Sequence, residues 1–155
     1  MMQDLFQLHT PDAAELRSPY YQSLLLEADP SADALDVHPG ETVILALTRL
    51  DGLPVAVLVA GRTEHGMEIL NLSVHADFRR QGLAGRLIRE FLHGQSEMVR
   101  VCTGSTSFPA LALYQKNGFR IQGVDPDYFV VNYDSPIYED GIQLRDRLIL
   151  RWNPS

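Results

Sequence analysis

The stretch from Val74 to Ile88, VHADFRRQGLAGRLI, puts small residues and cations where a strand gives way to a helix. Gly82, Ala84 and Gly85 stand at the mouth of a segment in which Leu83, Leu87, Ile88, Phe91 and Leu92 fall on one helical face. The first amides of a helix lack backbone acceptors and lie at the positive end of its dipole, so a phosphate placed there completes their hydrogen bonding. Small side chains let such a ligand approach the backbone, and Arg79 and Arg80 add positive charge. The chemistry this turn offers is anion binding. It lacks the Gly-Lys-Ser/Thr ending of a nucleotide-hydrolysing loop and the Gly-x-Gly-x-x-Gly run of a dinucleotide site, which argues against nucleotide hydrolysis and hydride transfer.

Arg79, Arg80, Gln81, Gly82, Leu83 and Ala84 also meet the pattern Gln/Arg-x-x-Gly-x-Gly/Ala, and a second landmark, ALALYQKNGF from Ala110 to Phe119, follows roughly 30 residues on. In these two motifs, and in the order of its elements, the chain resembles the GCN5-related N-acetyltransferases (GNAT) over nearly its whole length. The resemblance implies acetyl-CoA, or another acyl-CoA, as co-substrate, with its pyrophosphate on the amides from Arg79 or Arg80 through Gly85. Leu72 and Val74 would offer backbone groups to the pantetheine arm and the thioester, in a gap between their strand and the next. Acyl transfer would then run by direct attack of an amine on the thioester. No covalent intermediate is needed, so Cys102 reads as a small packing residue rather than a nucleophile.

Two proton transfers remain, one from the amine and one to the departing sulfur. Tyr114 matches the family tyrosine aimed at the sulfur, and a phenol with an ordinary pKa of about 10 is protonated at neutral pH. Glu68 lies where the histone-acetylating branch carries its glutamate base. Strand alternation places Glu68, Leu70, Leu72 and Val74 on one face, so the Glu68 carboxylate is expected on the same side as the cofactor-facing residues near Val74. Asn71, Ser73 and His75 are weaker candidates for the same task. Many relatives carry an asparagine seven residues before the tyrosine, contacting the pantetheine; here that position is Ser107, whose hydroxyl would replace the contact or cap the helix.

The elements that must position these residues are short. Leu5–Leu8 reads as a strand, and Thr10-Pro11 and Ser18-Pro19 each pair an N-cap residue with a proline to open a helix. Residues 42–50 and 53–60 are strands joined by Asp51-Gly52, a tight-hairpin signal. Met67–Val74, Met98–Thr103, Phe119–Val124 and Gln143–Trp152 read as further strands, 81–93 and 108–117 as helices, and 125–141 as an acidic loop. The pattern predicts a single α/β domain over residues 1–155. The resemblance sharpens this to a mixed, mostly antiparallel central sheet of about six to seven strands flanked by about four helices.

The chain has 155 residues and a formal charge of −7, and one cysteine allows neither an internal disulfide nor a cysteine-based zinc site. His9, His38, His65, His75 and His93 form no metal-ligand spacing, so no metal is expected. The acidic balance argues against nucleic-acid and anionic-membrane partners. No leader signature and no run of roughly 18 apolar residues is present, so a cytoplasmic protein is expected. Residues 1–41 hold eight acids against one base, and residues 123–142 hold five acids and no base. In the family these are the regions that shape the acceptor pocket. The acceptor is therefore expected to be a small-molecule or peptide amine, preferably cationic, with Tyr20, Tyr21, Tyr128, Tyr133 and Tyr138 as pocket walls. Relatives often pair, so a homodimer is an expectation resting on the resemblance alone. The alternative is a non-catalytic acyl-CoA-binding or sensing module.

Overall fold

The computed structural model describes residues 5–28 and 42–155, in two compact units, Met1–Gln95 and Ser96–Ser155. The first unit holds four antiparallel strands in sequential order, β1 (Phe6–His9), β2 (Thr42–Arg49), β3 (Pro54–Thr63) and β4 (Gly66–Val74). Its helices are α1 (Ala13–Leu16), α2 (Pro19–Ala28) and α3 (Leu83–His93), with a 3-10 turn at Ala76–Phe78. β3 is buried from Pro54 to Gly61 because both of its faces are covered. On one face Val57, Val59 and Ala46 pack under Tyr21, Leu24 and Leu25 of α2. α3 also packs on β2, β3 and β4, and buries Leu83, Leu87, Ile88, Phe91 and Leu92, the stripe expected from its periodicity.

The second unit holds β5 (Val99–Gly104), α4 (Phe108–Lys116), β6 (Arg120–Asp125), α5 (Tyr128–Val131), a small hairpin of β7 (Tyr138–Glu139) and β8 (Ile142–Gln143), and β9 (Arg147–Trp152). β9 lies between β5 and β6 and is antiparallel to both. The expected mostly antiparallel α/β fold is met: seven main strands, four in the first unit and three in the second, with five α-helices among the described residues.

Three local readings are corrected. α1 is capped by Asp12, not Thr10: the Glu15 amide donates to Asp12 Oδ1 at 2.8 Å and the Asp12 amide donates to Glu15 Oε1 at 3.1 Å, a reciprocal capping box. The β2–β3 connection is a four-residue loop with only Gly52 at positive φ, because the Gly52 amide closes on the Arg49 carbonyl at 2.9 Å. The acidic stretch is not one loop. It contains α5 and the β7–β8 hairpin, turned by Asp140 (φ 52°) and Gly141 (φ 75°), the same Asp-Gly chemistry that had been assigned to Asp51-Gly52.

Candidate active site

β4 ends at Val74, and the chain turns at His75. Its Nδ1 accepts from the Asp77 amide at 3.1 Å and caps the 3-10 turn. Arg80 (φ 64°) and Gly82 (φ 78°) both adopt left-handed backbone before α3 begins. Left-handed geometry costs a non-glycine residue about 1 kcal/mol, so Arg80 is held there by its surroundings. Gly82 is the N-cap of α3 and supplies no side-chain cap, so the amides of Leu83, Ala84 and Gly85 keep their donors. A Cβ on Gly82 would meet nothing within 4 Å, so the space in front of that residue is open. Arg80 and Gln81 are exposed beside it. Arg79 is turned elsewhere: its Nε donates to the Val74 carbonyl at 3.2 Å and its Nη2 approaches Glu27 Oε2 at 3.5 Å. Its side chain braces the end of β4 against α2, so the charge it lends to the turn is partly offset by Glu27.

Register along β4 changes the reading of Glu68. Val59 pairs with Asn71 and Ala60 with Ile69, which leaves Leu70 as a bulge. Gly61 pairs with Glu68 and Leu58 with Leu72, and residues three apart on β3 face opposite ways. Glu68 therefore shares the α2-side face with Asn71 and Ser73, while Leu72 and Val74 occupy the other, contrary to strict alternation. Glu68 is half-buried, and Asn71 and Ser73 are buried. Asn71 Nδ2 donates to the Leu25 carbonyl at 3.0 Å, which fixes the orientation of the amide; its Oδ1 finds no donor among the described residues.

In the second unit Tyr114 is buried on α4, edge-on to Phe119 at 5.6 Å between ring centroids. Burial pushes its phenol well above the ordinary tyrosine range, so it stays a proton donor at physiological pH. Ser107, seven residues earlier, is the N-cap position of α4 but makes no side-chain cap bond. Its hydroxyl donates instead to Glu139, at 3.0 Å to Oε1 and 3.2 Å to Oε2. Glu139 was not singled out from the sequence, because this contact spans 32 residues; the Asp140-Gly141 turn signal was the available clue. Cys102 is half-buried, and its sulfur accepts from Arg100 Nη2 at 3.4 Å.

Many of the counted acids are occupied. Asp12 and Glu15 form the capping box, and Glu15 also bonds His9 at 2.9 Å. Asp125 takes two bonds from Arg147, at 2.8 and 2.6 Å, and Asp127 takes two from Arg145, at 3.1 and 2.8 Å. Arg147 also stacks over Tyr128, 3.9 Å from the ring centroid. Asp4, Asp29, Asp33, Asp36 and Glu41 lie outside the described residues.

An uncapped, glycine-led helix after the end of a strand is the arrangement expected from the motif in Val74–Ile88, whereas the bulge in that strand is not. The family described as acetyltransferase (GNAT) domain matches residues 39–121. The chain belongs to the GNAT acetyltransferase family. As a GNAT protein it is an acyltransferase. It is 33% identical over 131 residues, 82% of this chain and 84% of the relative, to the "uncharacterized N-acetyltransferase YvbK" of Bacillus subtilis (strain 168). A GNAT family acetyltransferase from Elizabethkingia anophelis, solved with acetyl-CoA bound, matches with a TM-score of 0.84 at 28% identity, covering 97% of this chain and 99% of that one. A Bacillus subtilis acetyltransferase solved in complex with CoA matches with a TM-score of 0.80 at 32% identity, covering 97% and 98%. The site residues expected from the sequence divide between the units: Glu68, Leu72, Val74 and Arg79–Gly85 in the first, Ser107 and Tyr114 in the second.

Proposed function

We propose that this GNAT protein moves the acetyl group of acetyl-CoA to the amine of a cationic small molecule or peptide, by direct attack and without a covalent enzyme intermediate. The reading is carried by one observation, the turn at Arg80–Gly85. Its uncapped amides and open Gly82 suit a pyrophosphate, and two solved relatives above 25% identity hold acetyl-CoA or CoA. Arg80, Gln81, Gly82, Leu83, Ala84 and Gly85 would hold the pyrophosphate, with Arg79 bracing the strand end. Backbone groups of Leu72 and Val74 would align the pantetheine and the thioester.

The amine nitrogen, once deprotonated, attacks the thioester carbonyl carbon; the C–N bond forms and the C–S bond breaks. The acceptor ammonium gives one proton to Glu68, directly or through water, and the leaving sulfur takes a proton from Tyr114, whose burial keeps it protonated; the second proton, shed by the nitrogen as the amide forms, restores the phenol. Ser107 would reach the pantetheine arm only after giving up a bond to Glu139. The two units would serve as one acetyltransferase domain over residues 1–155. The family match, which runs across the boundary after Gln95, supports that.

The test is acetyl-CoA-dependent thiol release with a panel of polyamines, aminoglycosides and neutral amino acids, at low and high salt. Faster release with cationic acceptors, weakened by salt, supports the reading. Preference for neutral or anionic acceptors, insensitive to salt, contradicts the cationic acceptor.

A further inference from the structure

The acids of residues 123–142 are not equivalent. Asp125 and Asp127 are neutralised by Arg147 and Arg145, and Asp134 and Asp140 are exposed. Glu139 is half-buried, and no cation pairs with it among the described residues. Its partners are hydroxyls: Ser107 Oγ at 3.0 and 3.2 Å, and the buried Thr106 Oγ1 at 3.4 Å. A hydroxyl donor fixes a carboxylate in place without cancelling its charge.

The framework around it is tight. Glu139 pairs with Ile142 across the Asp140-Gly141 turn, and the Ser105 amide donates to the Asp146 carbonyl at 2.9 Å. Leu144 packs so closely on Gly104 that a Cβ there would lie 2.6 Å from Leu144 Cδ1. The carboxylate is thus pinned at the start of α4. Tyr114 stands two turns along that helix. A purely capping role does not account for it, because its partners are side-chain hydroxyls and not α4 amides.

We propose that Glu139 is the carboxylate that receives an ammonium group of the acceptor other than the nitrogen to be acetylated, selecting polycationic amines through N–H···O⁻ bonds. This rests on the amine-acetylation reading above and names the residue that sets its specificity.

Glu139→Gln is the informative variant, since the amide oxygen still accepts from Ser107 while the charge is gone. With spermidine as acceptor, the KM for spermidine rises about tenfold or more. The KM for acetyl-CoA and the melting temperature stay at wild-type values, and the salt dependence of the spermidine KM disappears. Ser107→Ala, which removes one of the carboxylate's two hydroxyl partners but keeps its charge, gives a smaller rise. Calorimetric titration of spermidine into the full-length protein with CoA present separates the two readings. Binding by wild type but not by Glu139→Gln, with no thiol release, upholds the ammonium site and refutes amine acetylation. Equal spermidine affinity in both proteins, no spermidine binding by either, or a change in the acetyl-CoA KM alone overturns the assignment.

Discussion

Glu68 and Leu72 lie on opposite faces of β4, because the Leu70 bulge shifts the strand's pleat by one residue between them. The bulge puts the candidate base on the side where Asn71 reaches α2, and leaves Leu72 and Val74, the positions proposed to meet the cofactor, on the other. In the reaction proposed above a base need not share the cofactor's face, because its partner is the amine and not the pantetheine arm.

Replacing Glu68 by Gln therefore lowers kcat by about 100-fold or more, the range typical of a lost general base. Acetyl-CoA affinity, measured by calorimetry, stays within about twofold because no proposed cofactor contact is removed. Unchanged turnover would assign the proton to a water relay instead.

Tyr114→Phe removes the donor without removing the ring that packs on Phe119. The expected outcome is a drop in kcat of about 100-fold with little change in either KM. The sign of the pH effect follows from burial, which raises the phenol's pKa: the proton needed by the sulfur is retained throughout the physiological range. Loss of activity on the alkaline side below pH 9 in wild type therefore comes from other groups, and a rate profile that shows it unchanged in shape in Tyr114→Phe confirms this.

Tyr21 gives a stability test. Its hydroxyl is buried with no partner among the described residues, and its pKa is pushed up to about 12 by burial first, then by Glu15 and Asp12. An unfolded tyrosine ionises near pH 10, so Tyr21's contribution is intact below that value and is lost as pH rises toward 12. Tyr21→Phe should flatten that decline. It should also raise the melting temperature at pH 7 by a few degrees, since an unsatisfied buried polar group costs about 1 kcal/mol or more. A lower melting temperature in the variant would show that the hydroxyl has a bonded partner.

Gly104→Ala tests the strap that carries Glu139. The new methyl would force Leu144 away and crowd Ser107 Oγ, which a Cβ would approach at 3.0 Å. Thermal unfolding should show a loss of about 1–3 kcal/mol, the usual cost of overpacking.

The glycine-led turn before α3 is legible in the sequence because its signal is local: glycine and alanine at a helix mouth, cations before it, and a 3.6-residue stripe after it all fall within 20 residues. The β4 face was not legible. A bulge is a property of pairing, and Leu70 looks like any other alternating residue until β3 is laid beside it. Charge counting over-read the acidic segments for a similar reason. Arg145 and Arg147, just outside the second segment, fold back onto Asp127 and Asp125, and a segment sum has no term for that. Ser107 stands out in the sequence as a departure from the family's asparagine, yet its partner 32 residues away depends on a hairpin read only as loop.

The most direct measurement is product analysis by mass spectrometry after incubating the full-length protein with isotopically labelled acetyl-CoA and a mixed amine panel. The account predicts a labelled N-acetyl amide, released CoA thiol in equal amount, and formation of both slowed about 100-fold in Tyr114→Phe. Bound acetyl-CoA with no labelled amide and no thiol above the buffer rate would contradict it, and would leave a protein that binds the acyl-CoA without transferring its acyl group.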